Sequence, residues 1–270
     1  MIQTSVQSKW GRDSYIMMDA GEILGMVKEH NIDGSGSWYG ETNFRKHVEL
    51  GDEKLVASSE KMLSKIEDQV PMSQGWINVD DVVGAVPNVP AFLAGHPQCM
   101  RRRRRVAKDN SPLVIYMDLT SSGGINAGDV QNRGIVLLAL ARMLVEHRAV
   151  ELWVGASLGG HGKSGTVAWR IDTTPLDLAR ASYHVAATAM SRLFGYELNK
   201  RLQGTGGGWP FGDYDLHCRA APERLRSVMG WGELLYVPPI YMGDKMTSDP
   251  VRWVKRVLTQ YTGQAEEDAA

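Results

Sequence analysis

The sequence predicts an α/β protein, and three neighbouring stretches carry that prediction. Residues 112–124, PLVIYMDLTSSGG, are a short apolar run closing on a polar Gly/Ser turn. Residues 129–148, DVQNRGIVLLALARMLVEHR, read as a helix with a broadly apolar middle. Residues 150–158, VELWVGASL, are a second short apolar run. In the first run apolar and polar residues do not alternate, which predicts a buried strand, and the second run predicts another strand.

Taken in order, the remaining elements extend that pattern. DAGEILGMVKEH (19–30) predicts a short helix, followed by the Gly/Ser loop NIDGSGSWYG. Residues 42–70 predict a polar helix, with Leu55, Met62 and Ile66 on one face at spacings of seven and four. Residues 80–100 carry three prolines among short apolar groups and read as an irregular connector. TVAWRID (166–172) predicts a third strand, residues 175–202 a long Ala-rich helix, and GELLYVPPIYM (232–242) a fourth strand. A last helix opens at Ser248 or Asp249, with Pro250 in its first turn. Val251, Val254, Leu258 and Tyr261 line one face of it. From residue 112 the order is β-α-β-β-α-β-α. The short link between the second and third strands implies an antiparallel hairpin, and the helical links imply parallel crossovers with both sheet faces covered. The expected organisation is an irregular, mainly helical region over 1–110, an α/β domain over 111–262, and a disordered acidic tail over 263–270.

Composition limits the function classes. The chain has 270 residues, 43% hydrophobic and 23% charged, enough for a core that needs no disulfide or structural metal. Cys99 and Cys218 are its only cysteines, which fits a reducing compartment. No secretory h-region is present, and the longest apolar run, residues 134–141, is too short to span a bilayer. A soluble, cytoplasmic protein is expected, in the host cytoplasm if phage-encoded. A net charge of −1 confines any nucleic-acid surface to a local patch.

Residues 159–165, GGHGKSG, contain the Gly-Lys-Ser of a phosphate-binding P-loop. The first glycine of that motif falls on Ser157, and a strand rather than a helix follows. Phosphate capture needs the amides and dipole of a helix N-terminus, so no nucleotide site is expected, and Lys163 is placed in a hairpin tip. Asp118, Thr120 and Ser122 offer a different chemistry. They close the first strand of the α/β domain, and ligands sit beyond the carboxyl ends of strands in open α/β sheets. A carboxylate with two hydroxyls suits a hard cation, Mg²⁺ or Mn²⁺, completed by water. The same residues ahead of a helix also suit capping of its free amides, and both readings stand.

Asp118-x-Thr120-x-Ser122 after a buried strand resembles the metal-ion-dependent adhesion site of von Willebrand factor A domains, whose pattern is usually Asp-x-Ser-x-Ser. The element order over about 111–262 resembles that Rossmann-like fold, with a mostly parallel sheet flanked by helices. The resemblance implies two further ligands, Thr173 (or Thr174) after the third strand and Asp244 after the fourth. Prolines stand where the family often has Thr-Asp, and the family's last two strands have no counterpart here. The whole chain also resembles an uncharacterised group of phage and prophage proteins, through PNVPAFLAGHPQCM, NRGIVLLALARMLVEHRAVELW and DPVRWVKRVL. That likeness implies a phage origin and no activity.

Arg101, Arg102, Arg103, Arg104 and Arg105, with Lys108 nearby, form the strongest charge run, suited to phosphate backbones or to a solvated loop paired with acidic neighbours. Trp209, Phe211 and Tyr214 in the glycine-rich 204–215 segment suit contact with a partner or a base. No His-x-x-x-His, Cys-x-x-Cys or Gly-x-Ser-x-Gly is present, and His217-Cys218 alone makes no zinc site. Asp172, Asp177 and Asp215 are acids with no evident catalytic partner. The expectation is a non-catalytic module that binds a macromolecular partner, a protein first, through the carboxyl edge of its sheet. A nucleic-acid-binding protein using the arginine run and the aromatic segment is the alternative. A metal-dependent hydrolase is the third class, without an identifiable base.

Overall fold

The structure is a computed structural model that describes residues 1–8, 11–34, 43–70, 76–105, 109–121, 124–160, 163–203, 221–240 and 245–262. It opens with two strands, β1 (Ile2–Ser8) and β2 (Gly11–Asp19), then helices α1 (Ile23–Glu29), α2 (Phe44–Leu50) and α3 (Glu53–Gln69). A three-stranded unit follows: β3 (Trp76–Asp81), β4 (Val86–Pro87), α4 (Val89–Leu93) and β5 (Met100–Arg105). Then come β6 (Asp109–Asp118), α5 (Ala127–Val145), β7 (Arg148–Gly160), β8 (Lys163–Ile171) and α6 (Leu178–Ala186). After a π-helical turn (Met190–Gly195) the chain forms α7 (Tyr196–Gln203), α8 (Ala221–Met229), β9 (Glu233–Val237), α9 (Lys245–Ser248) and α10 (Pro250–Thr262).

Six strands make a mixed sheet in the order β1-β2-β8-β7-β6-β9. β6 runs parallel to both β7 and β9, β7 and β8 form the antiparallel hairpin, and β2 runs parallel to β8. Strand residues alternate between two buried layers. Leu113, Ile115 and Met117 of β6 enter the larger core with α3, α5, α6 and α10, whereas Val114 and Tyr116 enter the smaller one under α8. Burial on both faces is why these strands read as unbroken apolar runs. Among the described residues the coverage is unequal: α8 is the helix in the core of the second face.

The first region departs from the mainly helical expectation. Tyr15, Ile16, Met17 and Met18 are buried in β2, a four-residue run too short and too isolated to stand out in a mixed stretch. Residues 80–100, read as an irregular connector, lie in the three-stranded unit ordered β3-β5-β4. The arginine run is a strand rather than a loop, because β3 and β4 pair with it on either side. The expected 175–202 helix is interrupted at Ala187, whose φ of −74° and ψ of 127° are extended. The fourth strand ends at Val237, ahead of Pro238 and Pro239, since proline cannot donate to a ladder.

Close approach requires glycine at Gly134 and at Gly195, among other positions. A Cβ on Gly134 would meet the Val185 carbonyl and stand 2.7 Å from Ala186 Cα, so α5 and α6 touch through backbone there. A Cβ on Gly195 would collide with Ala156, which lets the π-helical turn lie against β7.

Candidate functional site

Asp118 ends β6, opposite Gly155 of β7, and is 1% exposed. Its Oδ1 accepts the Thr120 N–H at 2.9 Å, a local turn held by the side chain. The Leu119 N–H then donates to the Gly155 carbonyl at 2.7 Å. The Thr120 hydroxyl carries the pairing one step further: it accepts the Ser157 N–H at 3.0 Å and donates to the Ser157 carbonyl at 3.2 Å. On the other side the Thr120 carbonyl accepts the Ile240 N–H at 3.0 Å, and Ser121 bridges to Ile240. Residues 119–121 are thereby fixed between the end of β7 and the segment after β9.

Arg133 of α5 completes this edge. It is 2% exposed and donates to the Asp118 carbonyl at 3.4 Å and to the Pro238 carbonyl. A guanidinium is the side chain able to serve two separated carbonyls at once, and it tolerates burial better than an ammonium. Arg133 was missed from the sequence, although a lone arginine beside the apolar 134–141 stretch was a usable signal. Thr188 was missed too: it is 3% exposed, at the interruption after α6, and its carbonyl accepts from Ser191 Oγ at 3.2 Å. Arg192 of the same segment donates to the Ile125 carbonyl at 2.9 Å, which ties this segment to the link between β6 and α5.

Of the proposed ligands, Asp118 and Thr120 lie together and Thr173 stands apart from them. Thr173 donates to the Val150 carbonyl at 3.0 Å. Val150 precedes Gly155 by five positions on β7, so Thr173 stands at the opposite end of the sheet, roughly 16 Å from Asp118 at a strand rise of about 3.3 Å. The antiparallel course of β8 causes this, since it delivers whatever follows it to the amino end of β6 and β7. Nor does Asp118 cap α5; Asn126 does, accepting the Asp129 N–H at 2.8 Å. Ser122 and Asp244 lie outside the described residues. Among the described residues no group of three His, Cys, Asp or Glu is placed to hold a metal.

Of the other candidates, Lys163 heads β8 and pairs with Gly160 across the hairpin, so strands flank this loop on both sides. Arg101 pairs with Asp80 at 3.4 Å and Arg102 with Asp81 at 2.7 Å, both as exposed contacts. Arg103, Arg104 and Arg105 lie in register with Asn78, Ile77 and Trp76. Lys108, Trp209, Phe211, Tyr214 and the 263–270 tail fall outside the described residues.

The second face of the sheet carries a polar cluster with no sequence signal. Asp13 of β2, 3% exposed, accepts from Ser164 Oγ at 2.5 Å and pairs with Arg224 of α8 at 3.0 Å. Ser157 and Thr166 hydroxyls lie 3.2 Å apart beside it. Ser157, Ser164, Thr166 and Arg224, with Tyr15 and Tyr116, line a cavity of about 20 Å³, room for about one water. Burial raises the Tyr15 hydroxyl to about 12, with Asp13 adding to the shift, and pushes Tyr116 well above its ordinary value, with Asp118 adding to it.

No described helix is long and apolar enough to cross a membrane. No curated protein and no solved structure matches the chain. The family described as a domain of unknown function, DUF7192, matches residues 12–260, from the second strand to the last helix. The chain belongs to the DUF7192 family.

Proposed function

We propose that the chain is a non-catalytic, phage-encoded interaction module that holds a macromolecular partner at the carboxyl ends of β6 and β9. One observation carries this reading. β6 connects through α5 to β7 on one side, while β9 joins it on the other, so the chain's connections diverge at this point. Ligands of open α/β sheets sit in such a crevice. The order β8-β7-β6-β9, with an antiparallel hairpin next to the first strand, supports the von Willebrand factor A-like reading of residues 111–262. The firm anchoring of residues 119–121 supports it as well, because a loop held on both sides presents a fixed surface.

In this reading Asp118 is the candidate ligand for Mg²⁺ or Mn²⁺, and Arg133 already supplies a positive charge against its carbonyl. Thermal unfolding with and without each metal separates the two roles, since an ion that binds the native state alone raises the midpoint. A metal-dependent rise that vanishes in Asp118→Ala assigns the ion to this edge. A rise that survives the substitution places it elsewhere. Partner capture from infected cells, with nuclease-treated lysate and with wild type and Asp118→Ala compared, tests the module. Capture unaffected by Asp118→Ala, in a variant that stays folded, removes this edge as the partner site.

A further inference from the structure

Tyr116 of β6 is 1% exposed, and among the described residues its hydroxyl has no hydrogen-bond partner. Gly155 of β7 makes room for that hydroxyl, since a Cβ there would stand 2.5 Å from its oxygen. Leaving a buried hydroxyl unbonded is costly, and nearly all such groups in folded proteins are satisfied by the chain or by ordered water. Tyr116 lines the cavity of about 20 Å³ beneath α8, together with Tyr15, Ser157, Ser164, Thr166 and Arg224.

Size and charge select the occupant. The volume admits one molecule the size of water. Arg224 is already paired with Asp13 at 3.0 Å, and Ser164 Oγ donates to the same carboxylate at 2.5 Å. A cation in the cavity would meet the Arg224 guanidinium, and an anion would compete with Asp13 for it. Either would leave a buried charge without a counter-charge, whereas a neutral molecule would not.

Hydrogen-bonding partners are available on several sides. An internal water typically makes two to four hydrogen bonds. The Tyr116 hydroxyl can donate, the Ser157 and Thr166 hydroxyls, 3.2 Å apart, can donate or accept, and the Arg224 guanidinium donates. We propose that the cavity is a binding site for one ordered water, which bonds the Tyr116 hydroxyl to the Ser157 and Thr166 pair and to Arg224, and so fastens α8 to β6, β7 and β8. The site does not depend on what binds at the end of β6.

A crystal structure of the wild-type chain at about 1.5 Å is the first test, with one ordered water expected about 2.6–3.1 Å from the Tyr116 hydroxyl and from two further groups of the cavity. No water there overturns the proposal, as does a Tyr116 hydroxyl bonded directly to Ser157. The second test is the sign of Tyr116→Phe in urea unfolding, a change that keeps the ring and removes only the hydroxyl. A water-bonded hydroxyl contributes to stability, so the variant is expected to have a folding constant about 2- to 10-fold lower. An unbonded hydroxyl is a burden, so a folding constant that rises in the variant overturns the proposal. Amide exchange at Leu225 and Val228 of α8 is expected to quicken in Tyr116→Phe. Unchanged exchange at both overturns the fastening of α8.

Discussion

The end of β6 and the arm formed by β3, β4 and β5 are both small pieces of sheet, yet they are held in opposite ways. At Asp118, Thr120 and Arg133 every described side chain is at most 5% exposed, and the Thr120 hydroxyl and the Arg133 Nη atoms are bonded to β7, to the Asp118 carbonyl and to the segment after β9. Among the described arm residues the ion pairs lie at the surface, and Val82, Val83, Val86, Val89, Phe92 and Leu93 are exposed. Identical residue types therefore carry different energetic weight in the two places. Burial decides that weight: inside, a lost contact leaves a void or an orphaned polar group, and outside, water replaces it.

The comparison breaks most easily at an aromatic residue. Trp169 of β8 is fully buried and meets Phe194 edge-on with ring centroids 5.4 Å apart. Trp169→Ala is expected to cost about 3–5 kcal/mol in urea unfolding, whereas Phe92→Ala in the arm should stay within about 0.5 kcal/mol for the monomer. Equal costs at the two sites would mean that the arm is packed after all.

Acid acts on the body through a buried histidine. His184 of α6 is 1% exposed, with its Nε2 3.2 Å from the Val48 carbonyl of α2. Burial lowers its pKa to about 4; the Val48 hydrogen bond and Asp177 push it up and Arg180 pushes it down. The folded value lies below the ordinary 6.5, so the unfolded chain takes up the proton first. The contribution is complete above about pH 6.5, is lost as pH falls toward 4, and amounts to about 3 kcal/mol. Urea midpoints measured from pH 7 to pH 4 should fall more steeply for wild type than for His184→Gln. Parallel slopes would show that the ring is not held neutral.

A smaller effect is expected where the loop is fastened. Thr120→Val keeps the shape but leaves the Ser157 N–H and carbonyl facing a methyl group, at a cost of about 1–3 kcal/mol. Faster amide exchange at Ser157 should accompany the loss, and unchanged exchange would mean that other groups hold that part of β7. The smallest effect belongs to the arm's ion pairs. Arg102→Gln removes the 2.7 Å contact with Asp81, and an exposed pair of this kind contributes about 0–1 kcal/mol, diminished further by salt. A loss above that range in the monomer would require the pair to be shielded from water.

The sequence by itself determined the elements that announce themselves locally. β6, β7, β8 and α5 are legible because burial on both faces leaves unbroken apolar runs, and no distant partner is needed to see them. The short GGHGKSG link was legible as a hairpin for the same reason: strands flank it on both sides. Asp118 was legible as a position, at the carboxyl end of a buried strand. Its partners were not. Thr173 follows β8 in sequence, but only the antiparallel direction of β8 decides which end of the sheet receives it. Five arginines have no strong local preference for a strand, and pairing with β3 and β4 imposes one. Asp13 meets Ser164 and Arg224 across separations of 151 and 211 residues, and Arg133 reaches Pro238 across 105. Contacts of that range leave no periodicity behind, so tertiary structure alone decided them.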